Sequence, residues 1–228
     1  MNTHFTYLLV DIGCLIFPFL FSFHPRFPFY KEWKFLLVPT LSTASIFIVW
    51  DMLFTHIGVW GFNPDYVCGI YFFNLPIEEI LFFLCIPYAC VFTYFCIKKF
   101  IAQRKMPSSF LLIGILALTL GAIGIVFYNR WYTAVTAFAT ALALAIQLYR
   151  KVNYMGTFLV AYILVLPFFF LSNGILTGSF LEEPVVWYNN AENLGIRMFT
   201  IPVEDTFYGM LMVLLNVAGY EFMKSRKA

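Results

Sequence analysis

The sequence predicts an all-α, polytopic membrane protein of seven transmembrane helices, arranged as a parallel 3+1+3 duplication. Three observations lead there. Of 228 residues, 62% are hydrophobic and only 11% charged, and the mean hydropathy is +0.83; a soluble domain carries about 25% charged residues. The apolar residues fall in long continuous runs rather than alternating, which favours helices over a transmembrane barrel. Finally, Asn74-Leu75-Pro76-Ile77-Glu78-Glu79 and Thr200-Ile201-Pro202-Val203-Glu204-Asp205 repeat one pattern 126 positions apart. In each, two adjacent carboxylates follow a proline at the head of an apolar stretch, and acids at such places carry a functional expectation by default.

The spans follow in order, each near the roughly 20 residues that cross a bilayer. The first, about Phe5–Phe23, is interrupted by Asp11 and preceded by no Lys or Arg, so it reads as a retained helix rather than a cleaved signal. The second, about Phe35–His56, carries Asp51 roughly a turn before its end. The third, about Leu75–Ile97, opens on the first acid motif, with Asn74 as the expected N-cap and Pro76 in the first turn. Spans four to six are about Phe110–Phe127, Trp131–Tyr149 and Gly156–Leu176. The seventh, about Ile201–Glu221, opens on the second motif, with Thr200 and Pro202 in the same expected roles. With seven spans, one to three and five to seven share an orientation. The expected division is therefore a first repeat at 1–105, a spacer helix at 106–130 and a second repeat at 131–228. A weaker echo, His56…Trp60-Gly61 against Asn173…Thr177-Gly178, closes the preceding helix in each half.

Twelve of the fourteen Lys and Arg fall on one side of these spans: Arg26, Lys31, Lys34, Lys98, Lys99, Arg104, Lys105, Arg150, Lys151, Lys224, Arg226 and Lys227. Only Arg130 and Arg197 fall on the other. The positive-inside rule then puts the N-terminus outside and the C-terminus in the cytoplasm of a multi-pass cell-membrane protein.

Several classes are excluded or disfavoured. No GxGxxG or P-loop is present, so no cofactor is expected. The cysteines at 14, 68, 85, 90 and 96 show no CxxC spacing, and no His/carboxylate pattern suggests a metal. No Lys or Arg lies within a span, which disfavours an anionic substrate, and span seven lacks the lysine a retinal Schiff base would need. No feature suggests a nucleic-acid partner.

The acids themselves point to proton chemistry. Adjacent residues diverge by about 100° on a helix, so one member of each pair can face the bundle while the other faces a neighbour. Converging carboxyls repel as anions and retain a proton between them, which suits acid catalysis on an unreactive substrate. Aromatic faces stabilise a cation by about 0.5–2 kcal/mol each. Trp50, Trp60, Tyr71, Phe72, Phe73, Phe82, Phe83, Phe207 and Tyr208 flank the motifs and are the candidates. Asp51 is expected in a supporting role, and Asp11 less so.

The Pro-x-Glu-Glu/Asp segments at Pro76–Glu79 and Pro202–Asp205 resemble those of the membrane-integral lycopene cyclases, whose two homologous halves occur as separate subunits or fused in one chain. This sequence resembles the fused form over nearly its whole length; Trp60-Gly61-Phe62-Asn63-Pro64 and Asn173…Leu176-Thr177-Gly178 are similar to family positions too. The resemblance implies an intramolecular lyase or isomerase. A carboxylic acid protonates the terminal double bond of a linear carotenoid, the neighbouring alkene closes the ring, and a base removes a proton, giving a β-ring in the commonest case. It implies Glu78, Glu79, Glu204 and Asp205 as the catalytic set, with Glu78 and Glu204 the leading donor and acceptor in either order. Asp51, Trp60, Phe82, Phe83, Phe207, Tyr208 and Asn173 are the expected substrate-binding residues. The implied partners are an apolar carotenoid such as lycopene and membrane lipid, with a second copy of the chain or other carotenoid-pathway enzymes as protein partners. The competing readings are a carotenoid-binding protein of rhodopsin-like architecture and a proton-coupled transporter. Against transport, the third span continues below Glu79 as Ile-Leu-Phe-Phe-Leu-Cys-Ile-Pro, without a polar path.

Overall fold

The computed structural model describes residues 3–101 and 110–226. Its helices are α1 (Thr6–Phe21), α2 (Trp33–His56), α3 (Ile77–Ile101), α4 (Phe110–Val126), α5 (Trp131–Tyr149), α6 (Met155–Leu176) and α7 (Val203–Ser225). Six are long and apolar enough to cross a membrane, the first of them counted from Thr3 with the 3-10 turn that precedes α1; α4 is described over 17 apolar residues. The 105/106 boundary, Arg104, Lys105 and Lys227 lie outside the described residues.

Among the described residues, six short strands join the helices at one end of the bundle: β1 (Trp60–Phe62), β2 (Tyr71–Phe72), β3 (Leu75–Pro76), β4 (Val186–Tyr188), β5 (Arg197–Met198) and β6 (Ile201–Pro202). β2–β3 and β5–β6 are antiparallel hairpins. They turn through Phe73 and Phe199, both with positive φ and again 126 apart. β1 pairs with β4, Trp60 opposite Tyr188, and so ties the first half to the second. Gly61 is required there: a Cβ would stand 2.3 Å from the Trp187 ring that opposes it.

These hairpins correct the expected helix starts. Pro76 and Pro202 are strand residues, α3 and α7 begin one residue later, and Asn74 and Thr200 occupy the hairpin turns rather than N-caps. The physical reason is twofold. A residue before proline is biased to extended geometry, and the first helical amides are drawn back to the hairpins, Ile77 N–H to Ile70 O at 2.9 Å and Val203 N–H to Ile196 O at 3.0 Å. Asn74 instead donates to Met52 O on α2 at 2.8 Å. Thr200 shares hydrogen bonds with Thr177 and Ser179 at the end of α6, both at 2.7 Å.

The echo also shifts. The glycines that close α2 and α6 are Gly58 and Gly178, each in the left-handed region. Val59 N–H reaches Phe54 O at 2.9 Å and Ser179 N–H reaches Gly174 O at 2.7 Å, the same C-terminal capping pattern in both halves.

α1 and α2 pack on α3, and α5 on α7; across the halves α2 lies against α7 and α3 against α6, while α4 runs along α5. Phe47, Phe83, Tyr94, Phe158, Leu214 and Tyr220 fill the interior. At the α2–α7 contact a Cβ on Gly219 would come 2.6 Å from Pro39, the small-residue approach common between membrane helices. The outer faces are apolar instead: Phe17 is 67%, Leu111 78% and Phe168 72% exposed. A belt of that kind requires lipid, so the protein is membrane-embedded. At the end away from the hairpins, Lys98 pairs with Glu221 at 2.5 Å and Lys224 with Glu32 at 2.6 Å.

Candidate active site

Glu78, Glu79, Glu204, Asp205 and Asp51 are all buried. They gather where α3 and α7 begin, beneath the β1–β4 pair. The first acid of each motif turns toward its loop. Glu78 Oε1 accepts the Cys68 N–H at 2.6 Å, and Glu204 Oε1 accepts the Leu194 N–H at 2.7 Å, the two amides again 126 apart. Glu204 Oε1 also accepts the Thr133 hydroxyl at 2.6 Å. The remaining oxygens, Glu78 Oε2 and Glu204 Oε2, are buried without a partner among the described residues.

The second acid of each motif turns inward. Glu79 Oε2 accepts the Tyr7 hydroxyl of α1 at 2.6 Å, and Glu79 is hydrogen-bonded to Asp51 of α2. Asp51 Oδ1 accepts the Tyr208 hydroxyl at 2.7 Å. Asp205 is surrounded by donors: Tyr132 of α5 to Oδ1, and Asn173 at 2.6 Å and Tyr188 at 3.0 Å to Oδ2. Burial, and next the Asp205 carboxyl, push the Tyr188 phenol well above its ordinary value, so it stays a donor.

Between the acids stands an aromatic wall. Trp60 packs 5.0 Å from Tyr132 and 6.1 Å from both Tyr188 and Tyr208. Trp50 lies 5.3 Å from Tyr208, and Tyr132 stacks on Tyr188 at 5.8 Å. Such faces are suited to a cation.

The other expected residues divide. Trp60, Tyr208, Asn173 and Asp51 are in this cluster. Phe82 meets Tyr7 edge-on, Phe83 packs on Phe47, and Phe207 is half-buried at the edge of the core. Tyr71, Phe72 and Phe73 are exposed on the first hairpin and take no part in the wall. Asp11 is buried on α1, a turn beyond Tyr7, with neither carboxyl oxygen partnered among the described residues. Sequence reasoning did not identify Tyr7, Tyr132, Thr133 or Tyr188. Tyr7 and Tyr132 did carry a signal: they stand 125 positions apart, beside a motif repeat of 126.

Fold and site together define a helical membrane protein that gathers carboxyl groups, tyrosines and tryptophans at one end of its bundle. A family model described as lycopene cyclase matches residues 4–97 and 129–223, and the chain belongs to that family. The two matched stretches leave out 98–128, which contains α4. No curated protein and no solved structure matches the chain.

Proposed function

We propose that the chain cyclises the linear ends of a carotenoid such as lycopene to β-rings by proton-initiated, carbocationic chemistry, as an intramolecular lyase or isomerase. Family membership supports the carotenoid cyclase role; the observation that carries the mechanism is a buried group of carboxyls facing tryptophan and tyrosine rings. A carboxylic acid adds its proton to the terminal double bond and leaves a tertiary cation. The next alkene donates its electron pair to that centre, forming the ring bond and moving the charge into the ring. A carboxylate then removes a ring proton and the electrons of that C–H bond become the new double bond. One proton enters and one leaves, so the product is an isomer and no oxidant is involved.

Glu78, Glu79, Glu204 and Asp205 form the proposed acid set, with Asp51, Trp60, Tyr208, Asn173, Phe82, Phe83 and Phe207 around the substrate. The contacts support chemistry at Glu79 and Asp205; Glu78 and Glu204, each tied to a loop amide, suit the task of holding the loops over the site. The arrangement is a parallel 3+1+3 duplication with α4 as spacer, with the N-terminus outside and the C-terminus in the cytoplasm of the cell membrane. Lipid surrounds the bundle, and a second copy or other pathway enzymes are its protein partners. Expression in a bacterium that accumulates lycopene tests the reading. The expected product is a mono- or bicyclic carotene, lost in Glu79→Gln and Asp205→Asn, while Glu78→Gln and Glu204→Gln report the weight of the outer acids. Unchanged lycopene beside well-expressed wild-type protein would overturn lycopene as the substrate.

A further inference from the structure

The two inner acids have different surroundings. Asp51 and Glu79 hydrogen-bond to each other. An ionised carboxylate can only accept, so two carboxyls in such contact hold one proton between them. The flanking hydroxyls leave that proton in place: Tyr7 donates to Glu79 Oε2 at 2.6 Å and Tyr208 donates to Asp51 Oδ1 at 2.7 Å. Among the described residues Asp205 has no acid neighbour in hydrogen-bond contact. It accepts from Tyr132, Asn173 and Tyr188 instead, and three donors on one carboxyl match an anion that needs no proton of its own. Glu79 and Asp205 are close enough to interact electrostatically.

We propose that Asp51, which lies outside both acid motifs, shares with Glu79 the proton that starts cyclisation, and that Asp205 is the base that ends it. This rests on the cyclase reading above. In the forward direction the Asp51–Glu79 pair gives its one proton to the terminal alkene and becomes a pair of carboxylates. Asp205 takes the ring proton and becomes neutral; before the next turnover Asp205 releases that proton and the pair takes one up, directly or by exchange with water, so the starting state is restored.

Asp51→Asn is the diagnostic variant, because its amide oxygen still accepts from Tyr208 and its N–H₂ can donate to Glu79, yet it holds no proton to give. Ring formation is expected to fall by at least about a hundredfold, the scale of a lost general acid. Asp51→Glu, which restores a carboxyl, should recover a clear part of the activity. Membranes incubated in deuterated water separate the two roles. Asp205→Asn should return linear carotenoid deuterated at its end groups, since protonation and its reversal continue without ring completion. Asp51→Asn and Glu79→Gln should return it unlabelled. Asp51→Asn at the wild-type rate, or Asp51→Glu as inactive as Asp51→Asn, would overturn the shared-proton assignment. Unlabelled carotenoid from Asp205→Asn would overturn the base assignment. A wild-type protein that forms no ring at all would instead remove the cyclase reading.

Discussion

Adjacent residues of each acid motif diverge by the helical step, and that step decides which carboxyl meets a loop amide and which meets another side chain. Thr133 and Leu194 share one oxygen of Glu204. Thr133→Val should therefore cost about 1–3 kcal/mol, the scale of a buried hydrogen bond lost to a charged or polar group, and lower the melting temperature in detergent. Tyr188→Phe removes one of three donors to Asp205 and keeps the ring that stacks on Tyr132. Its turnover should fall by roughly tenfold or more, the equivalent of about 1.5–3 kcal/mol, with little change in melting temperature. The acids were legible because carboxyls are rare in apolar spans. Tyr188 and Thr133 were not: tyrosine and threonine are ordinary in a membrane sequence, and their roles depend on which loop folds over which helix.

At the scale of elements, the seven described α-helices fall on the expected spans, but the starts of α3 and α7 were misplaced, because the pairing that holds Pro76 and Pro202 extended involves residues before each motif. Periodicity within the spans carries no trace of it. Close packing between helices was equally hidden, since a glycine looks the same whether or not a backbone lies against it. Gly219 meets Pro39 so closely that Gly219→Leu should separate α2 from α7, which carry Asp51 and Asp205. A loss of about 1–3 kcal/mol or more is expected from such overpacking, read as a lower thermal-aggregation temperature and a loss of cyclic product. Gly121→Ala on α4, where a Cβ would meet nothing within 4 Å, should leave both unchanged.

For the molecule as a whole, Lys98, Lys99, Lys224, Glu32 and Glu221 gather at the end of the bundle away from the hairpins. On the proposed orientation, and with the five native cysteines replaced by serine, a cysteine placed at Asn190 should react with an impermeant maleimide added to intact cells, and one at Lys99 should react only after lysis. The reverse labelling would invert the topology. α4 belongs to neither stretch matched by the family model and lies mainly along α5. Its importance on the proposed arrangement is arithmetic: it makes the number of crossings before the second half even, so that both acid motifs emerge at the same membrane face. Replacing α4 with an unrelated apolar helix of like length should then be tolerated. Deleting it should invert the second half and strand each motif on an opposite side, and supplying the halves as two separate chains should make it dispensable.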